Sequence, residues 1–454
     1  MSEFTDLHID GRVATPGDDD WDEARQAWNL AADPHPAAVA FVEGAEDVAK
    51  VLAFAAANDL RVIGQGTGHG AIAVGSFGDT IVIKTERMRS VEVDPEAGTA
   101  RIEAGVLGEE LGAAAQKSGR CSLPGSSPNV GVIGYTLGGG LSWLGRKYGF
   151  ACNRVTAIEL VTADGEPRTI DADNEPELFW ALRGGGGSYA IVTALRLELL
   201  PVGEVYAGIV IYPAAVGETA IRTYRDWAAE APDEITSVIR YLRPPPIPDV
   251  PEPLRDVPLL TIDAAFVGDS AEGERLLAPM RALGEPIMDN FAQMEAEGLY
   301  RIHMDPEPPV PGLGHHALVR ELPDEAIDAF IGMAGPDAGS PLLLAELRHL
   351  RGALGRPAEG AGALSHLDAD YAMFGIGMPM TAELGQAIQG RLDELIGAMS
   401  AWGGGGAYFN FHERPCDLDV IFDSETCDRL AEVKRAWDPD GLIRANHAVT
   451  VAAA

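Results

Sequence analysis

Cysteine is scarce in this chain, and the few present form no recognisable cluster. Cys121, Cys152, Cys416 and Cys427 are widely spaced, with no Cys-x-x-Cys. That spacing suggests neither a zinc ribbon nor a disulfide framework, so free thiols are expected. Long apolar runs are missing as well, and nothing approaches the roughly 20 residues that a membrane-spanning helix needs. The first twenty residues are acidic, with no basic segment ahead of an apolar one and no arginine pair, so the cytoplasm is the expected location. Basic residues are few: 34 Lys and Arg against 69 Asp and Glu, a net charge of −35. Such a surface repels phosphates, so no nucleic acid and no membrane is expected as a partner. The acidic residues are spread along the chain, as on a solvated surface, with a local cluster at Asp18, Asp19, Asp20, Asp22 and Glu23. The Gly-x-Gly-x-x-Gly fingerprint between a first strand and helix is also absent, which excludes a dinucleotide site of that type.

What the chain does have is glycine in clusters. The first is Gly64-Gln65-Gly66-Thr67-Gly68-His69-Gly70, after the apolar pair Val62-Ile63. A loop this bare lets backbone N–H groups approach a ligand closely. Cradling a phosphate needs no imidazole, so His69 is expected to serve another purpose. The second cluster is Gly131-Val132-Ile133-Gly134-Tyr135-Thr136-Leu137-Gly138-Gly139-Gly140, the third Arg183 to Tyr189, and the fourth Trp402 to Tyr408. One glycine loop is weak evidence. Three in the first two hundred residues, each beside an expected strand or helix start, describe an extended groove for a large anionic ligand. Backbone amides can bind a pyrophosphate even in a very acidic protein.

The 454 residues suggest two or three domains, and 46% hydrophobic content suffices for their cores. Strands are expected at 38–42 and 61–64 around an amphipathic helix at 46–58, whose Val48, Val51, Leu52 and Ala55 share a face. Period-two alternation then marks two hairpins, 90–94 with 99–103 and 159–162 with 168–170. Hairpins imply antiparallel pairing, unlike a doubly wound parallel sheet. Pro201-Val202-Gly203 reads as a boundary. Beyond it, strands are expected at 206–212, 235–242, 259–266, 317–322, 342–350 and 371–378, with helices near 215–230, 270–283, 323–333 and 382–400. The proline-rich stretch 244–248 reads as an exposed loop.

These motifs, in this order, resemble the FAD-linked oxidoreductases of the vanillyl-alcohol oxidase superfamily, and within them the berberine-bridge-enzyme-like family. The resemblance covers nearly the whole chain. Its carriers are Gly66 to Gly70, Pro128-Asn129-Val130-Gly131, Gly134 to Gly140, Arg183 to Gly187, Glu346 to Leu350, Tyr408-Phe409-Asn410-Phe411 and Asp438-Pro439-Asp440-Gly441. It implies an α+β protein: a PCMH-type FAD-binding domain of two α/β subdomains, and an α+β substrate domain with a broad antiparallel sheet. The implied division is 1–205 for FAD, 206–401 for substrate, and 402–454 returning to the FAD-binding domain.

The resemblance also implies roles. FAD would be bonded covalently through its 8α carbon to His69. Many relatives add a second link through a cysteine three residues before the valine; Ser127 stands there, so a single link is expected. Cofactor contacts are implied for residues 64–70, Val130, Gly131, Gly134, Tyr135, Leu137, Gly138, Gly139, Gly140, Gly187, Ile191, Val192, Tyr408, Asn410 and Asn446. In the family the residue at position 130 gates oxygen, and a small valine resembles the oxidases. Dioxygen is therefore the expected acceptor for hydride from a small-molecule substrate, giving hydrogen peroxide, with a dehydrogenase using another acceptor as the alternative. A non-catalytic nucleotide or sugar-binding protein is the rival from another class. For the catalytic group, Tyr408 and His349 are the candidates, with Tyr371 and Glu346 behind them. Alternation puts Arg348 and His349 on opposite faces of their strand. His315-His316 and His412-Glu413 lack ligand partners at helical spacing, so loop or surface histidines and no metal are expected.

Overall fold

The computed structural model describes residues 4–75, 77–246, 250, 252–404 and 406–449. Ile247 and Pro248 of the proline-rich stretch and Gly405 of the fourth glycine cluster lie outside the described residues.

Three sheets organise the chain. In the first, Ala38–Phe41, Thr80–Lys84, Arg61–Gln65 and Ile443–Arg444 run parallel, and Arg12–Ala14 adds an antiparallel edge. Ala38–Phe41 and Thr80–Lys84 are buried at every position, as strands covered on both faces must be. The helix Ala45–Ala57 covers one face with Val48, Val51, Leu52 and Ala55, the stripe its 3–4 spacing predicts. The second sheet, in order Val91–Asp94, Thr99–Glu103, Ala190–Glu198, Val155–Thr162 and Pro167–Ile170, is antiparallel and contains both expected hairpins.

The third sheet has eight antiparallel strands drawn from 204–377. At its centre lie Leu259–Phe266, Ile235–Leu242, Leu344–His349 and Tyr371–Gly377, in that order, and Leu313–Val319 forms the edge beyond them. The helices Gly217–Glu230, Ser270–Arg281, Asp324–Ala334 and Ala382–Met399 bury one face, packing on Ile239, Tyr241, Ala345, Leu347 and Met373. The alternate residues, Arg240, Glu346, Arg348 and Phe374, point the other way, paired in register Arg240 to Glu346 and Glu346 to Phe374.

Two elements depart from expectation. The strand expected at 317–322 is Leu313–Val319 instead. Its imidazoles disguised it: His315 and His316 break an apolar run, yet they pair in register with Gly375 and Phe374. The last strand, Ile443–Arg444, is too short to show a period. It is fixed by the buried pair Lys434–Asp438: Asp438 accepts from the N–H groups of Leu442 and Ile443 at 2.8 Å, and Lys434 donates to the Ser188 and Ile443 carbonyls. The Asp438-Pro439-Asp440-Gly441 motif thus docks the end of the chain beside the strand that leads into the His69 loop.

Candidate active site

A cavity of about 480 Å³ lies between the glycine loops and the free face of the third sheet. All of 64–70 line it, with Ser127, Val130, Gly131, Gly134, Tyr135, Leu137, Gly138, Gly187, Ile191, Val192, Tyr408, Asn410 and Asn446. Gly139 and Gly140 do not. Their φ angles are +114° and +78°, and a Cβ would meet Leu364 at 2.5 Å and Ala151 at 2.5 Å. These two glycines let the chain turn where it packs against Leu364 and Ala151.

His69 is held on two sides. Trp28 stacks on its ring, with centroids 3.9 Å apart and planes 11° apart. Thr67 Oγ1 lies 2.8 Å from its Nδ1. Its Nε2 is buried and has no hydrogen-bond partner among the described residues. Burial pulls its pKa down to about 4, against smaller opposing effects of Asn129 and Asp305. A neutral imidazole with a free nitrogen at the cavity wall suits bond formation with a ligand. Ser127 Oγ donates to Asn129 Oδ1 at 2.9 Å on the same wall.

Tyr408 ties the fourth cluster to the second. Its hydroxyl accepts from Leu141 N at 2.9 Å and Asn410 Nδ2 at 3.2 Å, while Asn410 also donates to the Tyr135 carbonyl. A Cβ on Gly138 would fall 1.9 Å from Asn410 Oδ1, so the two motifs fit only with glycine there. Burial holds the Tyr408 proton well above the usual tyrosine range. His316 Nε2 accepts from the Tyr408 backbone N–H, and its Nδ1 bonds the Met373 carbonyl, both at 2.9 Å. His316 is therefore a buried strand residue that seats Tyr408, and the expectation of a surface or loop histidine is corrected for it; His412 is buried too. No group of metal-binding side chains occurs among the described residues.

The free sheet face supplies the charges. Glu346 and Arg348 line the cavity, whereas His349 and Tyr371 do not. Strand parity sends His349 to the opposite face, where its ring lies 5.7 Å from Tyr371 and its Nδ1 has no partner. Burial lowers its pKa well below the usual value. His349 and Tyr371, expected near the reacting groups, thus stand away from the cavity on the helix-covered face of the sheet.

Sequence reading missed His303, Asp305 and Trp28. His303 Nε2 lies 3.0 Å from Glu346 Oε2 and its Nδ1 2.7 Å from Asp305 Oδ1. Against burial and Arg240, these carboxylates raise its pKa. Against burial, Arg348 and His303 hold Glu346 at about 2. Arg348 reaches Glu346 Oε1 at 3.1 Å and sits over the rings of Trp143 and Phe411. Arg240 closes the network on Asp263 and the His303 carbonyl. His303 and Asp305 flank a proline-rich stretch with no motif; spatial convergence alone reveals them.

The chain matches known flavoenzymes. Residues 36–171 match the FAD binding domain family. (R)-6-hydroxynicotine oxidase of Paenarthrobacter nicotinovorans is 27% identical, over 98% of this chain and 97% of the relative. The crystal structure of 6-hydroxy-D-nicotine oxidase from Arthrobacter nicotinovorans superposes with a TM-score of 0.83 at 24% identity, covering 98% of this chain and 99% of the other. BBE-like 1 of Physcomitrella patens gives 0.85 at 20% identity, with 98% of each chain covered. The chain thus carries an FAD binding domain over residues 36–171, and the relatives that match it along nearly its whole length are FAD-linked oxidases and oxidoreductases, the class its glycine motifs resemble. Its cavity suits the cofactor: glycine backbone lines it, and within the same loop His69 Nε2 has no hydrogen-bond partner among the described residues. No helix among the described residues is long and apolar enough to cross a membrane.

Proposed function

We propose that this enzyme is an oxidase that holds FAD covalently through His69 alone and passes electrons from a small organic substrate to dioxygen, giving hydrogen peroxide. Bound FAD supplies the hydride acceptor. The observation that carries the reading is the buried His69 on the cavity wall, whose Nε2 has no hydrogen-bond partner among the described residues. Ser127 in the second-link position supports a single bond, because a hydroxyl lacks the nucleophilicity of a thiolate. Val130, small and on the cavity wall, supports access for oxygen. Residues 64–70 and Gly131 would hold the pyrophosphate and ring system through backbone N–H groups. Tyr408 would orient the substrate rather than take its proton, since burial keeps its own. The domain division we propose is 1–205 with 402–454 for FAD, and 206–401 for substrate.

The relative names include a hydroxynicotine oxidase and a chitooligosaccharide oxidase, so the class of substrate is a separate question. The test of the covalent claim is an absorbance spectrum of purified protein followed by acid precipitation. Yellow colour in the pellet, moving to the supernatant in His69→Ala, is expected. Colour released from the unsubstituted protein would overturn the covalent bond, and a colourless protein that takes up no added FAD would overturn the cofactor assignment.

A further inference from the structure

We propose that Glu413 is the anionic anchor of the substrate chamber and that the substrate class is a protonated amine carried on an apolar or aromatic group. This rests on the reading of the cavity as the substrate site of an FAD enzyme.

The charges that line the sheet side of the cavity are matched, with one exception. His303 is paired with Asp305 and Glu346, and Arg348 with Glu346. Glu413 also lines the cavity, yet no cation reaches it within ion-pair distance among the described residues. Its neighbour in sequence, Arg414, is turned to Asp393 at 2.7 Å. One oxygen of Glu413, Oε2, accepts from Gly314 N at 2.7 Å. The other is left for whatever enters the cavity. A carboxylate in such a place is costly without a counter-charge, and burial pushes this carboxyl up to about 7. A ligand cation supplies the missing charge.

The walls beside Glu413 suit a cation's substituents. The point a Cβ on Gly314 would occupy lies 2.6 Å from Glu413 Oε2 and 2.7 Å from Phe374 Cζ, so carboxylate and ring converge. Phe411 follows, 5.2 Å from Phe374 between ring centroids. Ile376 and Met378 continue the apolar lining. Aromatic faces next to a carboxylate attract an ammonium more than a neutral hydroxyl of the same size. Gly314 has a role here: with any side chain, its Cβ would take the space of the Glu413 oxygen.

The test uses matched pairs of small ligands on the oxidised holoenzyme: benzylamine against benzyl alcohol, and phenethylamine against phenethyl alcohol. Binding is read from the change in the visible flavin spectrum and from calorimetry. Each amine is expected to bind at least tenfold more tightly than its alcohol. Glu413→Gln should erase that difference, and Glu413→Asp should keep part of it. Gly314→Ala, whose Cβ crowds both the Glu413 oxygen and Phe374, should weaken amines more than alcohols and so narrow the ratio between them, and it answers the question if the glutamine variant does not fold. Alcohols that bind as well as amines, amines that do not bind, or a preference that survives both Glu413→Gln and Gly314→Ala would overturn the assignment. A yellow protein without amine preference sinks this inference alone, whereas a colourless protein sinks the reading beneath it.

Discussion

The Trp28 indole lies flat on the His69 imidazole, 3.9 Å from it, and donates from Nε1 to the Glu307 carbonyl at 3.3 Å. Glu307 belongs to the stretch between Asp305 and Gly312 that also meets Asn29: Asn29 accepts from Gly312 N and donates to its carbonyl. The orientation of His69 thus depends on a contact between distant parts of the chain. Trp28→Ala removes one of the two restraints on the ring and leaves Thr67. The expected result is FAD that still binds but becomes covalently attached several-fold more slowly. Flavin fluorescence of the denatured protein band, followed over time after FAD is added to apoprotein, measures it. An unchanged rate would show that Thr67 suffices.

Val130 faces the cavity among residues that would surround the flavin. If it leaves room for oxygen, Val130→Leu should slow reoxidation of the reduced enzyme at least tenfold and leave reduction by substrate nearly unchanged. Stopped-flow absorbance separates the two half-reactions. Equal reoxidation rates would favour a dehydrogenase that uses another acceptor.

Much of this site could be read from the sequence because its walls are backbone. Gly68 turns at φ +88° against Ala27, Gly138 makes room for Asn410, and Gly66 and Gly131 border the cavity, and such needs leave local motifs. Gly139 and Gly140 belong to the same motif for a different reason, close packing under Leu364 and Ala151, which spacing cannot distinguish. The charged side fared differently. His303, Asp305 and Glu346 come from two separate segments, and nothing local marks them as partners. Alternation did separate Arg348 from His349, but which face looks inward depends on the four helices that claim Leu347 and Ala345. The parallel strand Ile443–Arg444 is invisible for a similar reason: its place is set by Lys434 and Asp438.

Tyr408 makes a sharp case for distinguishing orientation from proton transfer. Its hydroxyl accepts from the Leu141 N–H and the Asn410 amide; in Tyr408→Phe the Leu141 N–H is stranded, while Asn410 keeps the Tyr135 carbonyl. An unsatisfied buried donor costs about 1–3 kcal/mol. The variant is expected to lose about that much stability, read by urea unfolding, and to lower kcat/KM through looser substrate orientation. Its pH profile should match that of the unsubstituted enzyme. Loss of an ionisation from the profile would instead make Tyr408 the proton acceptor.

The same reasoning gives the stability of the His303 network a pH window. Glu346 is held at about 2, below its ordinary 4.5, so its contribution is complete above about 4.5 and is lost as pH falls toward 2. His303 is raised above 6.5, so its contribution is complete below that value and is lost as pH climbs through the raised pKa. Between those limits both Glu346 and Asp305 face a charged imidazole. Removing His303 by substitution with alanine leaves the buried Glu346 with Arg348 alone and the half-buried Asp305 without its imidazole, and a loss of about 3 kcal/mol is expected. Glu346→Gln should flatten the acid side of the stability curve and reduce the alkaline side, which Asp305 still supports, while His303→Ala removes the alkaline side and reduces the acid side, which Arg348 still supports. Urea unfolding at a series of pH values measures both arms. Acid and alkaline arms that stay parallel to those of the unsubstituted protein in both variants would mean that the network carries no linked protons.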